Sequence, residues 1–120
     1  METFLLAAQI VLGLGILNVW LVRPGKATAW RGGSATSMKE EFAVYGLPGW
    51  VMGVVGFLKI SCAVALLVGL YLPALVQPAA LLLGLLMLGA VSMHVKVRDP
   101  IKKALPALAM LTLCIVVALA

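Results

Sequence analysis

Lys59 is the only charged residue between Pro48 and Leu72, and it sits near the middle of that apolar stretch. An ammonium group at the centre of a membrane-spanning helix costs about 2.5–3.5 kcal/mol. Such a residue is retained when a partner or a function compensates. Three other polar groups have the right chemistry to meet it: the amide of Asn18, the carboxylate of Glu41 and the imidazole of His94. Together they would form a buried ligand-binding or structural polar cluster. The plainer alternative is that Lys59 snorkels toward the membrane face and bonds to carbonyls. Arg31, Asp99 and Tyr45 stand as supporting groups. Arg31 would bind a headgroup phosphate or an acidic neighbour, and Asp99-Pro100 would open a turn or cap the last helix. His94 reads either as an interfacial residue or as a proton relay. None of these residues forms a catalytic motif, and the catalytic role, if any, stays open.

The elements that must position these groups follow from composition. The chain has 120 residues, 64% hydrophobic and only 11% charged. Soluble domains carry roughly 25% charged residues, so a soluble fold of this length could not hide so much apolar surface. The expected class is all-α, a four-helix transmembrane bundle forming a single domain over residues 1–120. A bilayer core about 30 Å thick takes about 20 helical residues. Four stretches qualify: 3–22, 48–72, 77–95 and the shorter 104–120, with Pro106 placed in the first turn of the last. The N-terminal stretch has Glu2 where a secretory signal carries basic residues, and its apolar run is long. It is expected to remain as a membrane anchor.

The connectors alternate in charge. Residues 23–47 carry Arg23, Lys26, Arg31 and Lys39; the third connector carries Lys96, Arg98, Lys102 and Lys103; the second, 73–77, carries none. Eight of the nine basic residues thus fall on one side, and the ninth is Lys59. The positive-inside rule places both basic connectors in the cytoplasm and both termini outside. The net charge of +5 therefore reads as a topology signal facing anionic lipid, and nucleic acid is excluded as a partner. Inside the long connector, Ser37 followed by Glu40 is a capping-box pattern. It predicts a short interfacial helix over about Met38 to Tyr45, ending at Gly46. Trp20, Trp30, Tyr45 and Trp50 would form an aromatic belt at this boundary.

Depth constrains which partners can meet. Lys59 is 11 residues past Pro48, about 16 Å at 1.5 Å per residue, and helical side chains lean toward the N-terminus, here the cytoplasmic end. Glu41 lies 18 residues before Lys59, about 27 Å along a continuous helix. It reaches Lys59 only if the connector folds back into the bundle mouth. Gly49 and Gly53 make a GxxxG pattern, with Gly56 on a neighbouring face; tight packing within the bundle, or dimerisation, would use it. Cys62 and Cys114 both lie inside apolar spans and form no CxxC or Cys/His pattern. They read as buried free thiols, and no metal site is predicted.

Several of these residues occur in a familiar pattern. Asn18-Val19-Trp20 with Arg23, Trp30-Arg31-Gly32-Gly33, Glu41-Phe42 and Tyr45-Gly46-Leu47-Pro48 resemble the DoxX-like family of small bacterial integral membrane proteins. So do Gly56-Phe57-Leu58-Lys59, Gly69 with Pro73, Met87-Leu88-Gly89-Ala90 with His94, and Asp99-Pro100 with Pro106-Ala107. The resemblance covers nearly the whole chain and implies a four-helix membrane bundle in the bacterial cytoplasmic (inner) membrane. Its functional implications are mixed: thiosulfate:quinone oxidoreduction and methylamine utilisation or oxidative-stress complexes for some relatives, receptor assembly for distant ones. No cofactor-binding motif transfers with it.

Three functions fit these readings. The first is an accessory subunit of a membrane oxidoreductase that binds a quinone or other small ligand beside Lys59. The second is a small transporter or channel for an anionic solute; span one lacks the acidic residue that proton-coupled cation export needs. The third is an assembly factor that binds other membrane helices. The expected partners are the lipid bilayer and, beyond it, another membrane subunit or a second copy of the chain.

Overall fold

The computed structural model describes residues 2–22, 25 and 31–120. The connector residues Arg23, Lys26 and Trp30, on which some expectations rest, lie outside them. The described elements are α1 (Glu2–Leu17) with a π-helical continuation (Asn18–Val22), α2 (Met38–Val44), α3 (Gly49–Val68), a 3₁₀ turn (Pro73–Leu75), α4 (Val76–Lys96) and α5 (Ile101–Leu119). Among the described residues, four helices are long and apolar enough to cross a membrane. The chain is an all-α bundle, and no strand occurs among the described residues.

The spans pack as a closed ring: α1 on α3, α3 on α4, α4 on α5, and α5 back on α1. The largest fully buried side chains come one from each of α1, α3, α4 and α5: Leu12, Leu66, Leu83 and Cys114 respectively. Cys62 and Cys114 are both buried and free. The outer faces are equally apolar, with Phe4, Phe57 and Leu85 among the exposed side chains. Helices that are apolar all round belong in lipid, where the outer face has no reason to be polar. The longest dimension of the chain is 39 Å, enough to cross a hydrocarbon core of about 30 Å.

The helix ends depart from the sequence expectation for local reasons. α3 stops at Val68, short of Leu72. Pro73 disfavours helical backbone at the residue before it, and Leu72 lies outside the helical region, at φ −122° and ψ 80°. The chain turns from Gly69 onward, and the carbonyl of Leu66 accepts a 2.6 Å hydrogen bond from the Gln9 amide of α1. Gln77 similarly donates to the Ala118 carbonyl in the last turn of α5, where helix carbonyls lack partners. α5 begins earlier than expected, with Pro100 as its N-cap and Ile101 as its first residue. Pro106 therefore sits inside the helix rather than in its first turn. It cannot donate to the carbonyl four residues back, which loosens α5 beside the cavity described below.

Candidate functional site

The long connector is what builds the site. Its helix α2 begins as the capping pattern requires: the Ser37 hydroxyl accepts from the Glu40 N–H at 3.2 Å. The Glu40 carboxylate reaches back to the Thr36 N–H and hydroxyl, which hold it below its ordinary pKa. At the other end the Leu47 N–H donates to the Phe42 carbonyl and the Gly46 N–H to Ala43. This is a Schellman closure, and it needs a left-handed residue at Gly46, whose φ is +76°. Between these ends Met38 and Phe42 are buried against the core. α2 thus lies folded into the bundle mouth.

Bonds to the third connector fix it there. The Gly33 N–H donates to Asp99 Oδ1 at 3.0 Å, and the Gly33 carbonyl accepts from Lys103. Lys96 Nζ donates to the Tyr45 carbonyl at 2.8 Å. The connector cations Lys96 and Lys103 therefore bind protein carbonyls instead of serving only to face lipid. Asp99 Oδ2 lies 2.8 Å from His94 Nδ1. Burial acts to raise the Asp99 carboxyl, but the Gly33 N–H, His94 and Lys103 outweigh it and hold it below its ordinary value of 3.8. As an acceptor, the carboxylate takes Nδ1 as the proton-bearing nitrogen of the ring, with Nε2 on the side away from Asp99. Asp99 follows the Val97–Arg98 turn instead of opening one, and Pro100, not Asp99, caps α5.

Between α2 and the spans is a cavity of about 330 Å³. Lys59, Glu41, His94, Arg31 and Tyr45 all line it, as do Trp20 and Lys103. Its remaining wall is apolar and includes Met38, Met87, Met93 and Met110. Gly89, Ala90 and Ala107 keep the α4 and α5 walls small. The structure thus brings three of the four expected cluster residues to one cavity.

Asn18 is the exception. It is exposed and is not part of the lining. Leu12, Ile16 and Trp20 recur at four-residue spacing and face inward, which turns Asn18 to the opposite side of α1. The inward residue of that turn is Trp20, and it corrects a second expectation. Trp20 and Tyr45 are buried in the bundle rather than in an interfacial belt; only Trp50 among the described three is exposed, at 71%.

Trp20 is also the contact of Lys59 that sequence reasoning missed. The Lys59 Nζ lies 5.6 Å from the Trp20 ring centroid, a cation–π distance. The ring lies against Gly56, where an added Cβ would come within 2.7 Å of it. Gly56 and Lys59 are one turn apart on α3, so the glycine makes room for the ring that the lysine covers. The periodicity of Leu12, Ile16 and Trp20 was the available signal. By contrast, a Cβ at Gly49 or Gly53 would meet nothing within 4 Å, so the GxxxG pair does not pack within the bundle.

Glu41 has a different partner from the one expected. Its Oε2 lies 3.5 Å from Arg31 Nη1, and its Oε1 accepts the Tyr45 hydroxyl at 2.9 Å. Burial, reinforced by the Glu41 charge, pushes the Tyr45 pKa upward, so the phenol keeps its proton and donates. Glu41 acts on Lys59 through space, not by a hydrogen bond. Trp20, Phe42, Tyr45 and His94 follow one another as ring contacts 5.9–6.2 Å apart, an aromatic wall across the mouth.

The DoxX-like family model matches residues 15–117. The chain belongs to the DoxX-like family. No curated protein and no solved structure matches it. In this DoxX-like chain several of the residues that carried the resemblance gather at the cavity: Trp20, Arg31, Glu41, Lys59, Met87, His94 and Pro106 all line it. Among the described residues no group of three His, Cys, Asp or Glu side chains is arranged to hold a metal.

Proposed function

We propose that this DoxX-like protein is a redox-linked accessory subunit that binds a small amphipathic ligand in the mouth cavity, a quinone being one such molecule. The observation that carries this reading is Lys59. Its side chain is nine-tenths buried, lines the cavity, and makes no hydrogen bond or ion pair among the described residues. A buried ammonium without an acceptor is costly. A ligand carbonyl placed beside Trp20 would accept from it, and the methionine-rich wall would cover an apolar ring or tail. The volume falls at the small end of the range for small-molecule sites, about 300–1,000 Å³.

In this reading the protein lies in the bacterial cytoplasmic membrane with both termini outside. Electron transfer belongs to a partner subunit, and this chain supplies binding and orientation. The open strip at Gly49 and Gly53 is where another membrane helix could approach closely.

The test uses Trp20 as reporter, in protein carrying Trp30→Phe and Trp50→Phe. A short-tailed quinone should quench its emission saturably. Ala90→Phe, which fills the cavity, should abolish the saturable phase. Quenching that is linear in quinone and identical in both proteins would exclude the site.

A further inference from the structure

The mouth cavity has an excess of positive charge. Arg31, Lys59 and Lys103 line it against the single carboxylate of Glu41. That carboxylate is engaged by Arg31 and by the Tyr45 hydroxyl, and Lys103 is held by the Gly33 carbonyl. Among the described residues Lys59 has only the face of Trp20 at 5.6 Å and the field of Glu41, with no hydrogen bond to it. It is the buried cation whose charge the described fold leaves least compensated.

We propose that the cavity selects an amphiphile with a carboxylate head, seated on Lys59, over a neutral molecule of the same shape. This inference rests on the ligand-binding reading above and adds the sign of the head. A neutral carbonyl offers Lys59 an acceptor. A carboxylate offers an acceptor and a counter-charge, and charge-assisted hydrogen bonds are roughly twice as strong as neutral ones. Pairing also offsets the burial of the ammonium, which a neutral ligand leaves in place.

The rest of the cavity specifies the body of that ligand. Met38, Met87, Met93 and Met110 line it, four of the six methionines in the chain. Unbranched thioether side chains adapt to different apolar shapes, so the site reads the head strictly and the tail loosely. Thioethers also suit soft metal cations, but three lining cations oppose one. The Met38 sulfur already takes an Arg31 N–H at 3.5 Å. Pro106 and Ala107 keep the α5 side open beside the tail.

The experiment compares decanoate with decanol in neutral detergent, reading Trp20 emission in the Trp30→Phe, Trp50→Phe protein. Decanoate should bind saturably and at least about tenfold more tightly than decanol, a difference of about 1.4 kcal/mol. Lys59→Met and Lys59→Gln should each weaken decanoate by about tenfold or more and decanol by clearly less. The second variant guards against a folding defect in the first. Equal affinity for the two compounds, or decanoate binding unchanged in both variants, overturns the inference. If the quinone binds and decanoate does not, only the anionic head is wrong; if neither binds, the ligand-binding reading falls with it.

Discussion

Lys59, Trp20 and Gly56 act as one unit at the residue scale. The ring can cover the ammonium only because position 56 has no side chain. Gly56→Ala should force the Trp20 ring off α3 and destabilise the protein by about 1–3 kcal/mol, the usual cost of overpacking. Gly53→Ala, facing open space, should cost nothing comparable. Thermal unfolding in detergent, followed by Trp20 emission, separates the two. Asp99 carries the second residue-scale prediction. Its folded pKa lies below the ordinary 3.8, so its contribution is fully present above that value and is lost as pH falls through the folded one. Asp99→Asn should lower stability at neutral pH by about 1–3 kcal/mol, as for loss of a charged hydrogen-bond partner. It should also flatten the dependence of Tm on pH below about pH 4. An unchanged acid limb would mean that another carboxylate governs it.

At the scale of elements, two short closures hold the site. α4 ends as α2 does: the Asp99 N–H donates to the His94 carbonyl and the Arg98 N–H to Val95. The left-handed residue at that closure is Arg98, at φ +57°, where glycine is the unstrained choice. Arg98→Gly should therefore stabilise the protein by up to about 1 kcal/mol, after the entropy cost of glycine in the unfolded chain. Gly46→Ala should destabilise it by about 1–2 kcal/mol, because an L side chain is strained there. Parallel unfolding curves of the two variants check both signs. These closures also show what the sequence could announce. Ser37, Glu40 and Gly46 marked α2 because capping is local chemistry. The inward fold of α2 entered only as the condition for Glu41 to join the cluster, and that it gives Glu41 to Arg31 was not legible, since it depends on contacts to Asp99, Lys96 and Lys103 more than fifty residues away.

The whole molecule explains the remaining errors of sequence reading. The spans were visible because about twenty consecutive apolar residues leave few alternatives. Which face of each span turns inward was not, because lipid and core are equally apolar and the pattern carries no contrast. Asn18 was therefore assigned to the cluster on its polarity and its place near the inner end of the first span, and only the four-residue spacing that ends at Trp20 pointed elsewhere. Orientation is a prediction at this scale. With Cys62 and Cys114 replaced by alanine, a cysteine introduced by Ser34→Cys should react with a membrane-impermeant reagent only from the cytoplasmic face. One introduced by Leu72→Cys should react only from the opposite face, and the reverse pattern would invert the topology.

The central claim is that the mouth cavity is a ligand site headed by Lys59. Photolabelling with a decanoate analogue that carries a diazirine at the tail end tests it most directly, with the labelled residues located by mass spectrometry. The account predicts label on Met87, Met93 or Met110, and its loss in Lys59→Met. Label confined to lipid-facing Phe57 and Leu85, or unaffected by the substitution, would contradict it.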